Sequence, residues 1–314
     1  MLENSKFDKI LYNEMMEALK EANSGYNKIY NCETKPAELL VKRIFRYLLR
    51  LVRNKYKLSL YQTELNKFSQ IPMSTPKYSE IYNSNSNYFT DSKIAVYTSI
   101  FGNYDSIYEP LIKPNNCDYY IVTDRDISHS SLWNKVNINV FEDLTSNMSN
   151  IEKNRFFKIN PHLLFPEYDY SIYIDGNVQV ISDLTEFINK IGKSGIAIHK
   201  HRERDCVYEE AREVLLLNRD STDNILKHMK HIANTRMPKN YGLFECNIIA
   251  RKHNNVVCKK IMNTWWEEFK EYSNRDQISF VHSLYMNKID FVHIGILGDN
   301  VYENYALRIY RHLQ

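Results

Sequence analysis

The chain has 314 residues, 43% hydrophobic and 25% charged, enough to bury a large core and hold one sizeable catalytic domain with an appendage. A formal net charge of +3 is too mild for a nucleic-acid binder, and no apolar run approaches the roughly 20 residues that span a bilayer. Five cysteines without a CxxC spacing suggest neither a disulfide framework nor a structural zinc site, and the start MLENSKFDKI lacks a signal-peptide pattern, so the expected compartment is a reducing cytoplasm.

Residues 1–70 read as a helical N-terminal extension, in which KFDKILYNEMMEALKEA repeats apolar residues every three or four positions. The stronger segment is 36–58, PAELLVKRIFRYLLRLVRNKYKL. Leu39, Leu40, Ile44, Leu48, Leu49 and Val52 favour one side of it, and Lys42, Arg43, Arg46, Arg50, Arg53 and Lys55 are the polar complement. Packing on the main domain or on a second copy in a homo-oligomer is the expected home of such a helix, with peripheral contact to the inner membrane face as the alternative. Residues 71–92, rich in Pro, Ser, Asn and Tyr, read as a linker, and 93–314 as the main domain.

From residue 93 short apolar runs alternate with helical stretches. KIAVYTSIF, CDYYIVTD, KVNINVF, YSIYID, SGIAIHKH, ECNIIAR and DFVHIGIL predict strands. NIEKNRFFKINPHLLF, VYEEAREVLLLNR and the long run from Val256 to Asn287 predict helices. The class is α/β with a mainly parallel, helix-covered sheet, whose ligand crevice forms beyond the carboxyl ends of the strands.

Asp175, Gly176 and Asn177 emerge at that crevice, directly after the strand YSIYI. Two oxygens on a short turn suit a hard divalent cation that also holds a diphosphate, and Gly176 lets backbone approach a ligand closely. The same three residues equally favour a plain turn between two strands.

In context SIYIDGNVQV resembles the Asp-any-Asp signature of GT-A fold nucleotide-sugar glycosyltransferases. Together with KINPHLLFP, HKHRERDCVYEEA, RMPKNYGLFECNIIARKHN and WWEEF…RDQISF it resembles the glycosyltransferase-like family of plant cell-wall and bacterial polysaccharide proteins, over about residues 93–298. The resemblance implies a GT-A-like, Rossmann-type mixed sheet with helices on both faces, a nucleotide-sugar donor and a divalent metal, Mn²⁺ or Mg²⁺.

It also implies roles for residues. Thr98, Tyr104 and Asp105 fall in the nucleotide loop after the first strand, with Tyr104 placed to stack on a base and Asp124 to reach uracil or ribose. Lys158, with Arg155, would offset diphosphate charge. The second acid of the signature is here Asn177, which brings no charge, so His293 in FVHIGILG is the candidate third metal ligand beside Asp175 and Asn177. His201 and Arg204, in a basic cluster after a strand, are expected to face inward to phosphate or sugar hydroxyls. Asn247, Gln277 and Glu245 fall where donor or acceptor sugar is contacted. Asp276 is the first choice for the base that accepts the acceptor's proton and Glu245 the second. Trp265 and Trp266 point about 100° apart on a helix, and core packing is their expected role.

The function these residues imply is transfer of a sugar from a nucleotide diphosphate, a UDP-sugar, to a cell-surface glycan or its lipid-linked precursor. Heavy use of Asn, Lys, Ile and Tyr suits an AT-rich bacterial genome and hence capsule or related polysaccharide assembly. The rival readings are a nucleotide-sugar hydrolase and a catalytically inactive glycan-binding scaffold, the latter motivated by Asn177.

Overall fold

A computed structural model describes residues 36–68, 71–78 and 92–312, with side chains of the first helix from residue 44. The helix expected at residues 6–22, Cys32 and most of the 71–92 segment lie outside them. Nine strands are described: β1 (Ile94–Ile100), β2 (Cys117–Thr123), β3 (Asn134–Lys135), β4 (Tyr170–Ile174), β5 (Val178–Val180), β6 (Ile196–Lys200), β7 (Phe244–Arg251), β8 (Gly295–Ile296) and β9 (Leu307–Ile309). Seven of them form one sheet in the order β3-β2-β1-β4-β7-β6-β8, and β5 and β9 pair separately. β7 runs antiparallel to both β4 and β6, while the other pairs of the large sheet are parallel. This is the mixed, mainly parallel sheet expected from the sequence. Every residue of β1 is buried, which is why it reads IAVYTSI rather than as an alternating strand.

The longer helices described are α1 (Pro36–Asn66), α2 (Asn150–Ile159), α3 (Val207–Leu216), α4 (Thr222–Asn234), α5 (Val256–Glu271) and α6 (Asp276–Met286). On one face of the sheet Tyr97, Tyr173, Ile198 and Ile249 pack against Tyr208, Ile225, Ile261, Trp265 and Phe280 from α3 to α6. On the other, Val96, Ile172, Ile174 and Ile248 meet the short helix Glu186–Asn189 and the apolar side of the β5–β9 ribbon. Ser149 begins α2 with a capping box, its side chain and that of Glu152 bonding each other's backbone N–H groups.

Four elements differ from expectation. KVNINVF gives only the two-residue β3 and then a 3₁₀ turn, because Asn137 caps it by accepting from Asn139 N–H. In DFVHIGIL the Asp290 side chain starts a similar turn and leaves β8 two residues long. The long C-terminal helix is two, broken between Glu271 and Asp276. Helix α4 was not expected, although Ser221 caps it and Ile225, Met229 and Ile232 give it a buried stripe.

Helix α1 continues past residue 58 to Asn66. Its second half docks on α3, where Tyr61 Oη donates to the Tyr208 carbonyl at 2.6 Å and Lys57 Nζ to Asn218 Oδ1 at 2.6 Å. In its first half Phe45 and Val52 are 61% and 68% exposed, with Leu48 and Leu49 exposed beside them. No described helix is long and apolar enough to cross a membrane.

Candidate active site

A cavity of about 670 Å³ lies beyond the carboxyl ends of β1 and β4. Antiparallel pairing of Ile174 with Ile248 puts Asn247 opposite Asp175, whose N–H donates to the Asn247 carbonyl at 2.8 Å. The turn then presses on the end of β1. A Cβ at Gly176 would stand 2.8 Å from Ile100 Cγ1 and 3.0 Å from Asp105 Oδ2, so this position admits only glycine without displacement.

Beneath the turn lies a buried ion cluster. Lys158, in the last turn of α2, places Nζ 2.7 Å from Asp276 Oδ2 and 3.1 Å from Asp175 Oδ1. Arg155 Nε stands 3.1 Å from the same Asp276 oxygen. Arg251 Nη1 donates to the Lys158 carbonyl at 2.9 Å and its Nη2 to Tyr97 Oη at 2.7 Å, tying α2 to β1 and β7. Trp265 is wholly buried, as expected, and its Nε1 donates to the Asp276 carbonyl at 3.1 Å, fixing the first turn of α6.

These charges reverse the expected order of the two acids. Burial alone would raise the Asp276 carboxyl, but Arg155, Lys158 and Arg275 outweigh it and hold the group well below the usual carboxylate range. An anion so held is a poor proton acceptor. Glu245 is pushed up to about 7, first by burial and then by the neighbouring Glu210 charge. Gln277 Nε2 donates to Glu245 Oε2 at 2.8 Å and fixes its direction.

Of the residues singled out from sequence, Tyr104, Asp105, Arg155, Asp175, Gly176, Glu245, Asn247, Asp276 and Gln277 line this cavity. Others do not. Thr98 is buried within β1. Asp124 accepts the Gly102 N–H on both carboxylate oxygens at 3.1 Å, shaping the loop rather than offering itself to a ligand. The basic cluster serves an internal acid: Arg204 Nε is 2.8 Å and His201 Nε2 3.7 Å from Glu210 Oε2.

The expected metal trio of Asp175, Asn177 and His293 does not come together. Asn177 Nδ2 donates to the Tyr310 carbonyl at 2.8 Å, and His293 lies beside β8, its carbonyl accepting from Ser194 N–H. The imidazole that does reach the cavity is His312, which sequence reasoning missed. Its Nδ1 is 2.8 Å from Asp105 Oδ1 and its ring 4.8 Å from that of Tyr104. The hydrogen bond to Asp105 raises its pKa despite partial burial. Nothing local in RIYRHLQ marks it, because only the β5–β9 pairing carries this segment to the Asp175 turn. Two carboxylates and one imidazole, Asp105, Asp175 and His312, line the cavity and are of the residue types that suit a divalent ion of the Mn²⁺ type, but their ligand atoms do not lie within 4.8 Å of one another as the side chains stand.

A family model described as TOD1/MUCI70, glycosyltransferase-like domain, matches residues 67–312. Among solved structures, the apo WbbM bifunctional glycosyltransferase aligns with a TM-score of 0.42 at 16% identity, over 67% of this chain and 40% of that one. The chain thus spans well under half the length of that protein. The galactosyltransferase LgtC with donor and acceptor sugar analogs aligns at 0.36 and 12% identity, over 65% and 72%. The mannosyltransferase Ktr4p from S. cerevisiae aligns at 0.30 and 11%, over 73% and 72%. No curated protein matches the chain.

Proposed function

The chain belongs to the TOD1/MUCI70 glycosyltransferase-like domain family, and on that premise we propose that it moves a sugar from a nucleotide-diphosphate donor, a UDP-sugar, to a hydroxyl of a cell-surface glycan or its lipid-linked precursor. The observation that carries this reading is the meeting, in one cavity, of the Asp175 turn, the Arg155 cation with Lys158 buried beneath it, and a glutamate whose carboxyl is raised to about 7. Arg155 faces the cavity and would meet diphosphate oxygens directly, while Lys158 below balances the acids that would otherwise repel them. Asp105, Asp175 and His312 would hold a divalent ion only once their side chains turn toward one point and the His312–Asp105 hydrogen bond opens, and such an ion supplies positive charge to the diphosphate when bound.

Glu245 then has the task first assigned to Asp276. Held near 7, it is largely ionised just above neutrality yet basic enough to draw a proton from an acceptor hydroxyl as the anomeric carbon develops positive charge. A lipid-linked acceptor would place the protein peripherally on the cytoplasmic membrane face, where the exposed first half of α1 would lie.

The test is incubation with a panel of UDP-sugars, with and without glycan acceptors, reading free UDP and product. UDP release that needs an acceptor and leaves a lengthened glycan is the expected result. Release without transfer would instead make the protein a hydrolase. Saturable glycan binding with no release from any donor would make it a binding protein. Raised thermal stability with UDP plus Mn²⁺ over UDP alone would support the metal assignment.

A further inference from the structure

Away from the cavity, three helices bring a second set of ligand atoms together. His228 and His231, three residues apart on α4, share one face. They meet Glu268 from the last turn of α5 and His282 from α6. Glu268 Oε2 lies 3.6 Å from His228 Nε2 and 2.9 Å from His282 Nδ1, and one ligand atom from each of the three residues falls within 4.8 Å of the others. All three side chains are buried, and none of these three atoms has a hydrogen-bond partner, the close His282–Glu268 contact included, because its geometry is not that of donor and acceptor in line.

The surroundings fix what the atoms present. Thr235 Oγ1 donates its one hydrogen to the Ile232 carbonyl at 2.7 Å, so at its 3.2 Å contact with His282 Nε2 it accepts, and the proton sits on Nε2. That leaves the lone pair of Nδ1 facing a carboxylate oxygen. His228 is anchored from behind, Nδ1 to Ser273 Oγ at 2.8 Å, and with the proton on Nδ1 its Nε2 presents a lone pair inward. His231 Nε2 reaches the other carboxylate oxygen, Oε1, at 3.1 Å and holds Glu268 in place. In that tautomer three acceptors converge in a closed space, each oriented by a hydroxyl or imidazole behind it, which a cation between them would satisfy, and this rear hydrogen bonding is what metal-bound histidines show.

We propose that His228, Glu268 and His282 bind a zinc ion. Two imidazoles and one carboxylate are a zinc donor set, and the separations span a point about 2.0–2.2 Å from each atom after small side-chain shifts. Tyr272 stacks on the His231 and His228 rings at 4.2 and 5.2 Å between centroids and covers the site on that side, and burial between three helices points to a structural role for the ion. It would clamp α4 and the end of α5 to α6, the helix whose first residue is Asp276. This inference is independent of the transferase reading.

The experiment is elemental analysis of tag-free, full-length protein purified from zinc-supplemented cells. One zinc per chain is expected, with an X-ray absorption edge showing nitrogen and oxygen ligands only. Glu268→Gln and His282→Ala should lose the metal, whereas Asp175→Asn should keep it, which separates this site from the cavity. Should those two variants fail to fold, the wild type still decides: stripping with a strong chelator should lower the melting temperature by several degrees, and ZnCl2 but not MgCl2 should restore it. Protein that carries less than a tenth of an equivalent and whose melting temperature ignores added zinc would overturn the proposal, making the cluster a protonated His–Glu network. A full equivalent of another metal would overturn the assignment to zinc.

Discussion

Lys158 Nζ lies 2.7 Å from Asp276 Oδ2, and the two side chains are 0% and 8% exposed, so the lysine charge is withdrawn from water and the carboxylate meets the cavity only at its edge. Removing Lys158 leaves Asp175 without its buried cation and Asp276 with Arg155 alone on that oxygen. Lys158→Met should lower the unfolding free energy by about 3–5 kcal/mol. Lys158→Met combined with Asp276→Asn should recover part of that loss, because it deletes both charges together. Urea titrations of the single and double variants measure the coupling, and strictly additive losses would show that the two residues do not depend on each other.

Glu245 sets a pH dependence. Its carboxyl is raised to about 7 from an ordinary 4.5, so the folded protein favours the protonated form. The resulting stability is full below about 4.5 and is lost as pH rises through about 7. Glu245→Gln keeps the neutral form at every pH and should therefore melt above wild type at pH 8 and level with it at pH 4, by an amount on the order of 3 kcal/mol at most. Turnover should show the opposite trend. In wild type kcat should rise with pH to a plateau above 7, and Glu245→Gln should lower it about a hundredfold or more with no such rise.

Asn177→Asp separates a metal ligand from a structural amide. As a ligand, an added carboxylate would tighten Mn²⁺ binding. Facing the Tyr310 carbonyl at 2.8 Å it would instead set an acceptor against an acceptor and free the segment that carries His312. The expected outcome is a loss of about 1–3 kcal/mol of stability with weaker, not tighter, Mn²⁺ binding, read by calorimetry.

The first half of α1 should bind anionic vesicles. Phe45, Leu48, Leu49 and Val52 are exposed, and each basic residue near an anionic surface adds about 1 kcal/mol. Sedimentation should need anionic lipid, fall with salt, and weaken when Arg46, Arg50 and Arg53 become Gln. If wild type ignores anionic vesicles, that face belongs to another protein surface.

The sheet was legible because its strands are buried on both faces and spell apolar runs. KVNINVF misled, since the same apolar alternation serves a surface turn once Asn137 caps it. At the site, Asp175 and Gly176 could be placed because they follow a strand directly. Local sequence also suggested Asp276 and Glu245, but not their division of labour, which depends on Arg155 and Lys158 lying against one and Glu210 near the other. His312 and the inward face of α4 stayed hidden for the same reason: each owes its place to a partner far away in the chain.

The ion cluster also bears on the order of assembly. Lys158 meets Asp175 across 17 residues but Asp276 across 118, so the second contact closes a long loop. Until α6 arrives, water is the better partner for a lysine side chain, so the cluster is expected to close after the rate-limiting barrier. Interactions absent from the rate-limiting barrier govern how fast the native state opens rather than how fast it forms. The charges under the cavity are therefore expected to act as a kinetic latch, whose loss shortens the lifetime of the folded protein while leaving its refolding rate almost unchanged.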